Sequence, residues 1–425
     1  MATDKTSTQV AACRPAVDFW KYWSGQTISN LGSSVTLFAL PLLVYQLTGS
    51  AVSLGIATAI NVLPYLLFGL LLGAWMDRVN RKRMMILTDI ARALVIASIP
   101  VMASAGMLTV WWIYAVQFVH STLKICFESG QFAAIPNLVN QDDLVTANGR
   151  IQASYSGASI LGPLLAGLFI AIMPVPRFLY FDAFSFLLSA GSLALIRTSF
   201  NASKGEKKSA TTIGQDVIEG LRYVLSHPVL RNISLMMALM NFVTVPVGSQ
   251  LVLFAKERLQ ASNSQVGFLY SVASIGVVVL SLMAGPLRKR WPFSKVALSA
   301  LMVMGLLTIA LAFTRWYWLA AMIWAIDAGA GTLFNINTGS LRQAIVPNHM
   351  LGRVMSIASV LATMAVPLGA LLGGFAIGWT GNIVLVYVLI GVLMVFIPLA
   401  FSFTALGHAE RYLPKKEEAG IIQQG

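Results

Sequence analysis

Four carboxylates interrupt long apolar stretches of this 425-residue chain: Asp89, Glu128, Asp182 and Asp327. A carboxylate at membrane depth is energetically costly and usually serves a function. Where no cation lies beside it, burial favours the neutral acid, so the group can bind and release a proton near neutral pH. Residues of this type and depth therefore indicate proton exchange.

Basic residues accompany two of these carboxylates. Lys124 precedes Glu128 by four residues and Arg92 follows Asp89 by three, which are spacings at which helical side chains pair. A paired carboxylate that only stabilises the fold is therefore the alternative interpretation for both. That alternative is stronger for Asp89, which is predicted to lie near the inner membrane surface.

The other two carboxylates differ in depth. At 1.5 Å per residue, Asp182 lies about 9 Å below the outer surface, close to Arg177, and is interpreted as interfacial. Asp327 lies about 16 Å into its apolar run, with no basic residue within four positions. We predict that Glu128 or Asp327 exchanges a proton against the substrate, with Asp89 as a third candidate.

Polar and aromatic side chains within the apolar runs predict the lining of a substrate path. The candidates are Gln26, Asn30, Ser33, Asn241, Trp324 and Asn335. The first three share one helical face, because they are spaced by four and three residues. Hydrogen bonding between packed helices is the alternative for each of them.

The composition predicts an integral membrane protein. Hydrophobic residues make up 57% of the chain, charged residues make up 11%, and the mean hydropathy is +0.75. Soluble domains carry about 25% charged residues, so this chain lacks the polar surface that water requires. The net charge of +13 is interpreted as contact with anionic headgroups rather than with nucleic acid.

No cofactor, metal or enzymatic activity is predicted. The two cysteines, Cys13 and Cys126, are too few for a disulfide framework, and the four histidines are scattered along the chain. No phosphate-binding loop of the G-x-x-x-x-G-K-[ST] type occurs, which disfavours ATP-driven transport.

Twelve apolar runs are long enough to cross about 30 Å of hydrocarbon. They cover residues 20–47, 52–76, 84–104, 109–136, 151–173, 177–197, 230–253, 264–287, 295–313, 316–338, 353–378 and 382–404. An even number places both termini on one side of the membrane. That side is predicted to be the cytoplasm, because only Arg177, Lys256, Arg258 and Arg315 lie at the opposite loops.

The longest polar segment divides the spans six and six. Residues 198–229 are predicted to form a cytoplasmic linker between an N-terminal six-helix bundle, residues 1–197, and a C-terminal bundle with its tail, residues 230–425. Apolar residues at helical spacing predict an amphipathic helix over Ile213–Leu225, on the inner membrane surface.

The two halves repeat an internal pattern. Asn148-Gly149-Arg150 precedes Gly162-Pro163 in the first half, and Leu351-Gly352-Arg353 precedes Pro367 at nearly the same interval in the second. Matching halves are typical of a transporter built by duplication, with the substrate path between them.

The charged loop between the second and third spans resembles the signature of the major facilitator superfamily. The matching positions are Gly73, Asp77, Arg78, Arg81 and Lys82. Asn80 replaces the usual glycine, and asparagine tolerates a left-handed backbone better than most residues. The superfamily has an all-α membrane fold of twelve helices in two pseudo-symmetric six-helix bundles, which is the fold that the resemblance implies here.

Two further stretches are similar to the drug:proton antiporter branch of that superfamily, which includes macrolide and enterobactin exporters. Gly162-Pro163 resembles its antiporter motif, and the segment 347–356 resembles a stretch of that branch. Two departures stand out. Cys126 occupies the position of an arginine in the fourth span, and Lys289 stands where the acid of the charged loop would repeat.

The resemblance implies alternating access with a latch at the inner side. In this interpretation the carboxylate of Asp77 accepts backbone N–H groups at the start of the eleventh span, near Gly352 and Arg353, because a helix N-terminus favours an anion. A loop that only sets the orientation of the chain is the alternative.

The predicted function is export of amphiphilic small molecules, such as macrolide antibiotics, by proton antiport across the plasma membrane. The expected partners are the transported molecule, protons and membrane lipid, without nucleic acid, and the chain is expected to act as a monomer. The alternatives are an exporter of one metabolite such as a siderophore, a lysophospholipid flippase, or a receptor that does not transport.

Overall fold

A computed structural model describes residues 5–76, 79–139, 143–170, 172–198, 200 and 213–412. These residues form α-helices and one final 3₁₀ helix, and no strand occurs among them. The helices are α1 Lys5–Thr48, α2 Ala51–Met76, α3 Arg81–Ser104, α4 Val110–Leu138, α5 Leu144–Phe169, α6 Val175–Ala194, α7 Ile213–Ser226, α8 Pro228–Ser249, α9 Leu251–Glu257, α10 Asn263–Arg290, α11 Phe293–Phe313, α12 Tyr317–Ile345, α13 Asn348–Thr363, α14 Ala365–Thr380, α15 Ile383–Ser402 and the 3₁₀ helix Ala405–Tyr412.

Length and apolar composition allow many of these helices to cross a membrane. Within the described part of the chain, nine segments meet both criteria, one of which joins most of α13 to α14. Helices α4, α5 and α6 are 29, 26 and 20 residues long but are not among the nine. The all-α membrane fold is thus confirmed, whereas the number of twelve spans and the cytoplasmic termini stay predictions.

The chain forms two compact units. The first draws on residues 1–49, 60–208 and 262–271, and the second on residues 50–59, 209–261 and 272–425. In the first unit α1 packs against α5 and α6, and α3 packs against α4 and α6. In the second unit α11 packs against α12 and α15, and α8 packs against α13, α14 and α15. The predicted domain boundaries at residues 197 and 229 stay predictions.

A cluster of buried apolar side chains closes one end of the first unit. Its largest members include Phe19, Tyr22, Met85, Phe127 and Phe200, which bring together α1, α3, α4 and the segment after α6. This cluster lies at the end where α3 begins, so it holds the start of α3 against the end of α6.

The segment between the units in sequence contains the helix expected there. The helix α7 begins at Ile213, as predicted, and ends one residue later than expected, at Ser226. Val224 of α7 is buried with Leu230, Val346, Met350 and Val354. One face of α7 is therefore packed on α8 and α13 of the second unit.

Candidate functional site

The four carboxylates occupy three kinds of environment. Asp89 and Asp182 are completely buried in the first unit, and Asp327 is 9% exposed in the second. Glu128 is different, because its side chain is 48% exposed.

Asp89 belongs to a chain of polar contacts between α1, α3 and α6. Arg92 lies 3.4 Å from Oδ1 of Asp89, as the spacing of the two residues predicts. Ser189 of α6 donates a hydrogen bond of 2.5 Å to Oδ2 of Asp89, and Gln26 of α1 donates one of 2.7 Å to Ser189. Asp89 is therefore held by a cation and by a hydroxyl donor.

The guanidinium of Arg92 is buried among rings. It lies 3.9 Å from the centroid of Phe186 and 5.8 Å from that of Phe127. Its Nε also lies 3.5 Å from Nε2 of His120 in α4. Sequence reasoning singled out Arg92 but missed His120, although a histidine in the middle of an apolar run was a visible signal.

Asp182 is surrounded by hydroxyl groups. Thr36 of α1 and Ser185 of its own helix donate hydrogen bonds to its carboxylate, and Ser33 of α1 lies 3.5 Å away. The packing of α1 over α6 buries Asp182 completely within the first unit, while its depth near the outer membrane surface stays a prediction. The repeat of polar residues 182, 185 and 189 along α6 was the signal that could have found it.

Glu128 lines an open cleft of the first unit. Its carboxylate lies 3.7 Å from Nζ of Lys124, one turn earlier on α4. The cleft has a volume of about 550 Å³, and its walls come from α4 and α5, including Gln131, Phe132 and Tyr155. Glu128 is therefore placed to meet a ligand that enters this cleft, while its salt bridge supports the structural alternative.

Asp327 lies on α12 without a cation beside it. Its Oδ1 is buried and has no hydrogen-bond partner among the described residues, and none of the ion pairs found there involves Asp327. One turn of helix earlier, Nε1 of Trp324 is likewise buried and unpartnered. Asp327 thus has the environment that its position in the sequence predicted.

Some of the other predicted substrate-path residues contact neighbouring helices, and others are partly or fully exposed. Gln26 and Ser33 contact α6, as described above, and Asn30 between them is half-buried. Asn241 donates a hydrogen bond of 2.8 Å to the carbonyl of Ala362, which joins α8 to α13. Asn335 is exposed.

Hydrogen bonds join the described part of the charged loop to the end of α6 and the segment after it. Asn80 caps α3 by accepting a hydrogen bond from the backbone N–H of Arg83. Lys82 donates to the carbonyls of Ala194 and Ile196, at 3.1 and 2.6 Å, where a helix C-terminus favours a cation. Arg81 similarly donates to the carbonyl of residue 200.

The predicted latch cannot be traced through these contacts, since Asp77 and Arg78 lie outside the described residues. Gly73 lies in the last turn of α2, and Gly352 and Arg353 lie in the first turns of α13. Gly162 of α5 approaches α1 so closely that a Cβ there would lie 3.1 Å from the carbonyl carbon of Ser34, and Pro163 follows within the same helix.

A family profile and several known proteins are similar to this chain over most of its length. A family profile described as a transmembrane secretion effector matches residues 8–417. The multidrug efflux pump Tap of Mycolicibacterium fortuitum is 25% identical over 394 residues, which cover 87% of this chain and 93% of that protein. Macrolide efflux protein A of Streptococcus pyogenes is 23% identical over 357 residues, which cover 83% and 88%.

Solved transporter structures share the fold. A bacterial homologue of the human lysosomal transporter Spinster, inward-facing and unoccupied, superposes with a TM-score of 0.75 at 15% identity and covers 95% of this chain and 99% of that one. A bacterial homologue of the iron transporter ferroportin gives a TM-score of 0.68 at 15% identity, with 91% and 99% covered. At these identities the likeness concerns the fold alone.

Proposed function

Because the chain belongs to the transmembrane secretion effector family of major facilitator transporters, we propose that it exports amphiphilic small molecules in exchange for protons. It is a multi-pass protein of the cell membrane and an efflux transporter rather than an enzyme. The proposal adds the class of substrate, the coupling ion and alternating access to that assignment.

Two relatives support the substrate class. One is named a multidrug efflux pump and the other a macrolide efflux protein, and each aligns with more than four fifths of this chain. The open cleft beside Glu128 adds aromatic and polar walls to an acidic group. A cleft of this composition suits an amphiphile that carries a positive charge.

The buried, unpartnered oxygen of Asp327 is the observation that carries proton coupling. An ionised carboxylate in a low-dielectric interior without a cation or a full set of donors is strongly disfavoured. Taking up a proton removes that cost, and giving the proton up restores it. Asp327 is therefore the group that we propose to exchange a proton against the substrate, with Glu128 and Asp89 as the other candidates.

The test is drug-dependent proton flux in proteoliposomes that contain the purified protein. With ethidium and erythromycin as probes, Asp327→Asn is expected to lower the flux at least twofold, while Glu257→Gln, which removes an exposed carboxylate, retains it. The variants Glu128→Gln and Asp89→Asn complete the comparison. Full coupling in the Asp327, Glu128 and Asp89 variants would contradict the proposal, as would transport of one metabolite or of lysophospholipid alone.

Alternating access is proposed to depend on the charged loop. On this proposal Asp77 closes the inner side against the start of the eleventh predicted span, near Gly352 and Arg353. Asp77→Asn is expected to lose drug export while the protein still reaches the membrane in normal amounts. Unchanged export by that variant would leave the loop with a role in orientation only.

A further inference from the structure

We propose that Asp182 binds a second exchanged proton, and that Ser185 and Ser189 connect it along α6 to the ionised Asp89. This inference rests on the proposed proton coupling and adds a proton site in the first unit to Asp327 in the second. It concerns the contact surface between α1 and α6, which is called the α1–α6 seam below and comprises Gln26, Ser33 and Thr36 of α1 and Asp182, Ser185 and Ser189 of α6.

The first step concerns the partners of Asp182. All of its near polar contacts in the seam are hydroxyl groups, from Thr36, Ser185 and Ser33. None of the ion pairs found among the described residues includes it. A hydroxyl can donate to a carboxylate or accept from a carboxylic acid, so this environment accommodates both protonation states of Asp182.

The second step concerns charge. Arg92 interacts electrostatically with both Asp89 and Asp182, so that one buried cation faces two buried acids. With both acids ionised the group would carry one net negative charge, and a single bound proton makes it neutral. Asp89 already has Arg92 within 3.4 Å, so the neutralising proton belongs on Asp182.

The remaining ionisable groups near this cluster do not alter that balance. His120 of α4 lies against Arg92, where a second positive charge would be repelled. Tyr22 of α1 and Tyr155 of α5 also lie near the cluster, and a phenol is neutral at physiological pH. Lys124 and Glu128 of α4 pair with each other at the exposed edge.

The third step concerns depth. Asp89 contacts Ser189, and Arg92 contacts Phe186, so α3 and α6 run antiparallel. At 1.5 Å per residue, Asp182 lies about 10 Å beyond Ser189 along α6, and Arg92 lies at an intermediate level. The guanidinium therefore lies at a level between the two carboxylates and interacts electrostatically with both.

The fourth step concerns continuity. Ser185 donates to Asp182, and Ser189, one turn further along α6, donates to Asp89. Gly32 of α1 leaves the space that the carboxyl group needs, because a Cβ at that position would lie 2.7 Å from Oδ1 of Asp182. Two hydroxyl groups thus lie one turn apart on α6 between the two acids, and each is hydrogen-bonded to one of them.

Infrared difference spectra of the purified full-length protein between two pH values test the proton site directly. The Asp327→Asn background removes the contribution of the other proposed site. We expect a carboxylic-acid C=O band that Asp182→Asn eliminates. In Asp89→Asn, where Arg92 has Asp182 as its one remaining acid in the cluster, the band is expected to disappear at a lower pH. Retention of the band in Asp182→Asn would overturn the assignment.

The hydroxyl groups provide variants that keep both acids. Thr36→Val and Ser185→Ala each remove a donor to the carboxylate, so the pH at which the band disappears is expected to rise. Ser299→Ala serves as the matched control, because that hydroxyl bonds only to its own helix. An unchanged pH in both donor variants would also overturn the proposal, and these variants remain informative if Asp182→Asn fails to fold.

Transport stoichiometry separates this proposal from the one on which it rests. With an otherwise native chain in proteoliposomes, Asp182→Asn is expected to release about half as many protons per exported ethidium as the unaltered protein. An unaltered protein without drug-dependent proton flux would contradict proton antiport, whereas coupled transport with an unchanged ratio in Asp182→Asn would contradict only the second site.

Discussion

At the scale of single residues, Arg92 is held by weak contacts of different kinds. Its ion pair with Asp89 is 3.4 Å long, its guanidinium lies 3.9 Å from the ring centroid of Phe186, and Nε lies 3.5 Å from His120. A desolvated cation–π contact contributes about 2 kcal/mol, so the ring offsets part of the cost of burying the charge. The first unit can therefore keep Arg92 charged while Asp89 or Asp182 gains or loses a proton.

The variant Arg92→Gln is expected to destabilise the protein by about 3–5 kcal/mol, because it leaves Asp89 buried without a cation. The double variant Asp89→Asn/Arg92→Gln is expected to recover most of that loss, since neither charge then remains. Unfolding of the purified protein in detergent measures both values. Equal stability of the single and double variants would show that the pair does not carry the effect.

The contrast between Asp89 and Asp182 shows what sequence spacing can predict about a site. Asp89 and Arg92 are three residues apart on one helix, so their pairing followed from helical geometry. The α1 partners of Asp182 are 146 and 149 residues away, and no local pattern predicts which helix will cover it. Its burial is a property of tertiary packing.

At the scale of helices, close approach in the second unit depends on small residues. A Cβ at Gly391 of α15 would lie 2.7 Å from the carbonyl oxygen of Gly305 in α11, and the reverse distance is also 2.7 Å. Small residues at such a crossing allow helices in lipid to gain van der Waals contact.

Gly391→Ala is expected to destabilise the second unit by about 1–3 kcal/mol, because the added methyl group forces α11 and α15 apart. Gly339→Ala on α12 is the matched control, since no described atom beyond the neighbouring backbone of its own helix lies within 4 Å of the position of its added Cβ. That control is expected to be neutral or slightly stabilising, as alanine favours the helix. The unfolding midpoints of the two variants in detergent test this prediction. Equal losses of stability would contradict the close approach of α11 and α15 as the cause.

The stability of the protein is also expected to depend on pH through His227, which precedes α8. The ring centroids of His227 and Tyr412 are 5.9 Å apart. Burial lowers the pKa of His227 below its ordinary value of 6.5, and its buried Nδ1 has no partner among the described residues. The unfolded chain therefore takes up a proton first as the pH falls. Stability is expected to decline below about pH 6.5 and to level off once the folded state is protonated too.

Unfolding midpoints between pH 8 and pH 5 test this dependence. His227→Gln is expected to flatten the decline, whereas His408→Gln, which removes an exposed histidine, is expected to leave it in place. A decline of equal size in all three proteins would assign the pH dependence to other groups.

The breaks in helices show where prediction at this scale stops. The predicted span 353–378 is divided at Met364 into α13 and α14. Pro367 lacks the N–H that would bond to the carbonyl of residue 363, which explains the break. However, Pro100 and Pro163 lie inside helices that continue, so the residue type alone did not predict which proline would interrupt its helix.

At the scale of the whole molecule, some helices of the first unit that carry polar candidate residues are less apolar than the other spans. Helices α4, α5 and α6 correspond to predicted spans, yet they are not among the segments that meet the apolar criterion. Two of them carry groups that the proposals use, Glu128 on α4 and Asp182 on α6. The apolar pattern was sufficient to predict the fold class, but it is weak in the two helices of the first unit that carry Glu128 and Asp182.

The orientation of the whole molecule yields a prediction that depends on no side-chain contact. Basic residues concentrate at the predicted inner loops, which should keep those loops in the cytoplasm. In a chain with Cys13 and Cys126 replaced by serine, single cysteines at Met107 and Arg315 are expected to react with a membrane-impermeant maleimide in intact cells. Cysteines at Arg83 and Lys289 are expected to react only after the membrane is permeabilised, and the reverse pattern would place both termini outside.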